Sequence, residues 1–155
     1  MSNREIFQRN LRLAVKAATE EVAEHARANH RYTSRSGNLE RSVDTRFNRG
    51  GLEGIAFLNK NVAQYGPFVH EGTKPHAITP KSKKALRWVS GSRFIFAKKV
   101  NHPGTQEDPF LYEALDSQQM AIVGLFRSYT GRAVDEVAKS IEGGHAKVHT
   151  LHVKL

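Results

Sequence analysis

Two loops of the same pattern, His70-Glu71-Gly72-Thr73 and His102-Pro103-Gly104-Thr105, carry the residues whose chemistry is most versatile, and His76 follows the first of them. If the loops are neighbours, His70, His76 and His102 converge, and Glu71 and Asp108 complete a set of nitrogen and oxygen donors suited to a metal or to general acid/base work. The spacing matches no metal-binding signature, and loop histidines beside Gly and Pro commonly cap turns. No metal ligand, no catalytic residue and no cofactor is therefore expected. His145, His149 and His152 could hold a metal only adventitiously. The residues around the two His-x-Gly-Thr loops do not align, which argues for two similar turns rather than a duplicated unit. With no cysteine in the chain, thiolate chemistry and disulfides are excluded, which suits a reducing compartment.

Between these loops lies the second chemical feature. Lys74, Lys81, Lys83, Lys84, Arg87, Arg93, Lys98 and Lys99 fall between residues 72 and 106, where there is no aspartate or glutamate. The formal net charge of the whole chain is +9, so the excess is a local surface and not a diffuse property. Such a surface implies an anionic partner, either nucleic acid or an acidic protein face. Contacts to an acidic protein would steer encounter and fix register, whereas contacts to DNA would grip phosphates without reading bases. The plainest reading is a solvated hairpin that its lysines keep soluble.

The elements that must position this stretch follow from periodicity. Over 3–28, Phe7, Leu11, Ala14, Val15, Ala18, Val22 and Ala26 share one helical stripe, with Ile6 and Leu13 off it and partly exposed. Residues 33–41 read as a loop passing into a short helical turn. Val43, Thr45 and Phe47 alternate, Gly50-Gly51 turns the chain, and Ile55 and Phe57 resume the alternation, which predicts a hairpin. Over 61–72, Val62, Tyr65, Phe68 and Val69 suggest a short helix stopped by Gly72. Residues 77–80 and 85–89 read as extended, and 93–100 as a strand apolar on both faces, suited to the centre of a sheet. Asp108-Pro109 reads as an N-cap followed by proline, opening a helix to about residue 128, with Gly131 weakening its continuation. The fold class expected is α+β: a small antiparallel sheet packed by two long helices, with a projecting basic hairpin and an extended C-terminal tail. Residues 1–142 form one domain, with 73–106 as the basic insertion and 143–155 as the tail. Val148, Leu151, Val153 and Leu155 alternate loosely in that tail, which could add a strand to a neighbour's sheet.

A length of 155 residues with 39% apolar content supports one core without staples. The N-terminus leads into an amphipathic pattern rather than an apolar signal region, and eighteen apolar residues nowhere run together, so neither export nor membrane contact is expected.

The order Arg35-Ser36-Gly37-Asn38-Leu39 after a long helix, then Tyr65-Gly66-Pro67-Phe68-Val69-His70-Glu71-Gly72-Thr73, then Pro109-Phe110-Leu111 opening a helix, resembles the small neck or tail-completion proteins of tailed bacteriophages. The resemblance spans about residues 5–130. It implies a non-enzymatic virion protein, made in the host cytoplasm, that joins head to tail as a ring of six or twelve copies around the DNA channel. Adjacent head-completion or adaptor, tail-terminator or tail-tube proteins would be its partners, with non-specific contact to phage DNA second. The segment after the Gly-Thr is typically an extended loop or hairpin in that family; here it is longer and strongly basic, and the tail has no counterpart. Tyr65, Phe68 and Trp88 are expected as core or interface aromatics, and the eight basic residues as the interface or DNA-facing hairpin. A small basic nucleic-acid-binding protein, or a toxin-type ribonuclease using His70 or His102, is the alternative.

Overall fold

The computed structural model describes residues 1–148. Helix α1 (Asn3–Ala28) opens on a reciprocal cap: the Ser2 hydroxyl accepts the Glu5 amide at 3.3 Å, and the Glu5 carboxylate accepts the Ser2 amide at 2.6 Å. Donation from the Ser2 backbone holds the Glu5 carboxyl below the usual carboxylate range. The buried row on α1 is Ile6, Asn10, Ala14, Ala18, Val22 and Ala26, each four residues apart. Four residues slightly exceed one turn, so this row slants around the helix. The expected stripe is correct from Ala14 onward and wrong before it: Ile6 is buried, whereas Phe7 and Leu11 are exposed.

A second long helix causes that rotation. Helix α4 (Phe110–Ser117) and helix α5 (Gln119–Val148) run antiparallel to α1, shown by contact of His25 with Ser117 at one end and of Arg9 with Glu136 toward the other. The Asn10 amide donates to the Ile6 carbonyl at 3.0 Å and to Glu136 at 3.5 Å, which satisfies a polar side chain on the buried row. The helix expected over 109–128 thus divides at Gln118 and then continues through Gly131 to Val148. Residues 143–148, assigned to an extended tail by sequence, are helical; 149–155 lie outside the described residues.

Between the long helices, α2 (Asn38–Ser42) leads into β1 (Val43–Asn48), a tight turn over Arg49–Gly51, and β2 (Glu53–Leu58). The pair is antiparallel, with Val43 opposite Leu58 and Asn48 opposite Glu53. It lies close on α1: a Cβ at Gly54 would stand 1.8 Å from Thr19 Oγ1, so only glycine admits this approach. Helix α3 (Gly66–His70) follows, then β3 (His76–Ile78), β4 (Leu86–Ser90), β5 (Arg93–Ala97) and β6 (Val100–His102). The fold is α+β, and among the described residues the strands form three two-stranded antiparallel pairs, β1 with β2, β3 with β6 and β4 with β5. The strand expected over 93–100 as central is therefore two edge strands, β5 and β6, separated by Lys98 and Lys99.

Val22, Ala23, Ala26, Leu39, Val43, Ala63, Phe110 and Ala114 form the core, flanked by Tyr32, Leu58, Val69 and Ile122. Phe110 is its largest fully buried side chain. Around α3 the inward residues are Ala63, Gly66 and His70, while Val62, Tyr65 and Phe68 are exposed, so of the two roles expected for Tyr65 and Phe68 the core one does not hold.

Candidate docking hairpin and its neck

The two His-x-Gly-Thr loops are neighbours, and they form the neck from which the basic stretch projects. Thr73 and Thr105 bridge antiparallel: the Thr73 amide donates to the Thr105 carbonyl at 2.9 Å, and the Thr105 amide returns to the Thr73 carbonyl at 3.1 Å. The glycines beside them are geometric necessities. Gly104 has φ +92, and a Cβ there would lie 2.2 Å from the Thr73 carbonyl oxygen; Gly72 has φ +70 and backbone of 105 and 107 at 2.9 Å.

Beyond the bridge, β3 and β6 bring His76 directly opposite His102, their rings stacked with centroids 5.1 Å apart. His76 Nδ1 donates to the Lys74 carbonyl at 2.9 Å, since a carbonyl only accepts. His102 Nδ1 does the reverse and accepts the Gly104 amide at 3.1 Å. The convergence expected of three histidines thus holds for two. His70 lies elsewhere, buried with its ring edge against Phe110 and Tyr112, at centroid distances of 5.3 and 4.7 Å. Burial lowers its proton affinity, against the opposing charges of Glu71 and Asp108. Among the described residues no group of three or more His, Cys, Asp or Glu could hold a metal.

The distal hairpin pairs Leu86 with Ala97, Arg87 with Phe96, Trp88 with Ile95, Val89 with Phe94 and Ser90 with Arg93. Alternation places Leu86, Trp88, Ile95 and Ala97 on one face and Arg87, Val89, Phe94 and Phe96 on the other. Both faces present large apolar groups: Phe96 is 65% exposed, Val89 62% and Phe94 60%, with Trp88 and Ile95 close to 40%. The Arg87 guanidinium covers the Phe94 ring at 4.8 Å, a cation–π contact that keeps one aromatic half-shielded. Lys74, Lys81, Lys83, Lys84, Arg87, Arg93, Lys98 and Lys99 are all exposed, and among the described residues none is paired with a carboxylate. Trp88 therefore belongs to this hairpin and not to the core; Tyr65 and Phe68 are surface residues of the body at α3.

Asp108 anchors the far side of the neck, in a way that local sequence did not disclose. Its carboxylate does not cap α4, whose N-cap is Pro109 without a side-chain bond. It accepts the backbone amides of Arg31 and Tyr32 at 2.6 and 2.8 Å and faces the Arg31 guanidinium at 3.6 Å, while its own amide donates to Val69. Three chain segments so meet at Asp108: its carboxylate holds residues 31 and 32, and its backbone amide holds Val69. Tyr32 stacks on His30 at 3.8 Å, and burial, followed by the Glu40 and Asp108 charges, raises its phenol above the ordinary range. His30 in turn contacts Glu40 at 3.4 Å.

A second unpartnered apolar surface is an open groove of about 790 Å³ between α1, β2 and the α4–α5 pair, lined by Val22, Leu58, Leu111, Ile122 and Phe126, with His70 at its wall. No described helix is long and apolar enough to cross a membrane. Compared with known proteins, the chain matches no family model, no curated protein and no solved structure.

Proposed function

We propose that this protein is a structural connector that works by docking, as a ring-forming neck or tail-completion protein of a tailed phage. The observation that carries docking is the distal hairpin: a two-stranded ribbon with large apolar side chains on both faces and unpaired cations along it. Such a ribbon is marginal alone in water, and contiguous apolar exposure of this kind belongs to interaction sites. A polyanion alone would answer the charge but leave Val89, Ile95 and Trp88 wet. A protein groove with an acidic rim answers both, so the acidic face of an adjacent ring is the partner and DNA the lesser one. Phe7, Leu11 and Leu13 on α1, and the groove beside α4–α5, are further apolar surfaces of different shape from the hairpin. Contacts between unlike surfaces are heterologous, the geometry that closes rings. The placement in a phage neck rests on the motif order described above.

The ribonuclease alternative draws no support from the site. His70 is buried among aromatic rings, and His102 Nδ1 is committed to the Gly104 amide.

Mass photometry of the purified protein, alone and with the products of neighbouring genes, tests the proposal. Discrete particles of six or twelve copies, alone or on a partner ring, are expected. A monomer in every mixture would sink the connector reading.

A further inference from the structure

We infer that the His76–His102 pair is a proton-sensitive latch that holds the neck of the hairpin closed at neutral pH and releases it on acidification. The inference concerns the isolated chain and stands whatever the hairpin docks against.

The two rings have opposite hydrogen-bond roles at the same atom. His76 Nδ1 must carry a proton to donate to the Lys74 carbonyl, so that ring keeps its bond whether neutral or cationic. His102 Nδ1 must be bare to accept the Gly104 amide, so that ring is the neutral Nε2–H tautomer. The closed neck therefore tolerates a charge on His76 and none at Nδ1 of His102. Protonating His102 removes the acceptor of the Gly104 amide, next to the Thr73–Thr105 bridge. With His76 also protonated it stacks two cations at a centroid distance of 5.1 Å.

Among the described residues no carboxylate is paired with either ring. His76 and His102 share their face of the β3–β6 pair with Ile78 and Val100, both apolar. Along the two strands the flanking charged residues are Lys74 on the body side and Lys98 and Lys99 beyond Val100. The nearest acids in the chain, Glu71 and Glu107, lie on the other side of the Thr73–Thr105 bridge, and no other helix or strand packs extensively against β3 or β6. Histidine titrates in the range where this balance changes. Opening here would free residues 74–104 to swing about Gly72 and Gly104, whose positive φ values mark the turns where the neck joins the body.

Amide hydrogen exchange by NMR on the full chain at pH 7.5 and pH 5.0, corrected for intrinsic exchange, tests the latch. The expected result is a loss of protection at Thr73, Thr105 and Asn101 of roughly tenfold, the scale of one lost hydrogen bond plus a like-charge contact, with Val22 and Phe110 amides losing less. His102→Asn supplies a side-chain oxygen that accepts the amide two residues on, as in an Asx turn, but does not titrate. Its neck protection should be the same at both pH values. Imidazole 15N shifts give a second readout that needs no variant: Nε2–H for His102 and Nδ1–H for His76 at neutral pH. Unchanged neck protection in the natural chain, an Nδ1–H tautomer at His102, or an equal acid loss in His102→Asn would each overturn the inference.

Discussion

The body and the hairpin are built on opposite rules. In the body, small residues on α1 let Phe110, Leu39 and Val43 fill one core, and buried polar groups such as Asn10 and Asp108 find partners within the chain. In the hairpin, Phe94 and Phe96 stay more than half exposed and Trp88 is 40% exposed, and among the described residues no acid pairs with its cations. The body carries sixteen lysines and arginines against fifteen acids, so it is almost neutral while the hairpin holds the excess. One region builds a core of its own; the other has the composition of half an interface.

The sharpest way to break this contrast is to delete one aromatic ring from each side. Phe110→Ala, at a fully buried position, should cost about 3 to 5 kcal/mol in urea denaturation. Phe96→Ala should change stability by less than about 0.5 kcal/mol and weaken particle formation instead. A large stability loss at Phe96 would place the hairpin inside the folding unit.

Asp108→Ala comes next. It leaves the Arg31 and Tyr32 amides without their acceptor and should cost about 2 kcal/mol. A loss confined to a few tenths would show that water replaces the carboxylate and that its tie to residues 31 and 32 is incidental.

His70 gives the smallest effect. Burial depresses its proton affinity in the folded state, so the unfolded chain binds the proton more readily. Its neutral form contributes stability present above the unfolded histidine's ordinary value, and that contribution is lost as pH falls through the lower folded value. His70→Phe should flatten the acid limb of a stability–pH curve slightly. An unchanged slope would show that other groups set that limb.

Most of the body was legible in the sequence because its signals are local. The alternation over 43–58, the glycine turn at 50–51 and the stop at Gly72 each follow from periodicity or backbone freedom, and all three are present. What was not legible depends on distant chain. Ile6 is buried and Phe7 exposed because α5 returns along α1, and that rotation has no mark in residues 3–10. Asp108 before Pro109 is a sound local reason for a cap, yet its carboxylate is taken by amides 76 and 77 residues away. Strand 93–97 is apolar on both faces, a pattern shared by a central strand and by an edge ribbon awaiting a partner; only the pairing distinguishes them. The neck was half visible: repeated His-x-Gly-Thr suggested neighbouring loops, and His76 and His102 met while His70 did not.

The division into a self-sufficient body and a docking hairpin is tested most directly by excision. Because Thr73 and Thr105 are already bridged, residues 74–104 can be replaced by a two-residue Asn-Gly turn, which suits a tight hairpin. Thermal unfolding and mass photometry are then read on the same sample. The account predicts a cooperative transition within a few degrees of the full chain and a protein that no longer forms particles with its partners. A shortened chain that unfolds, or one that still assembles, would contradict it.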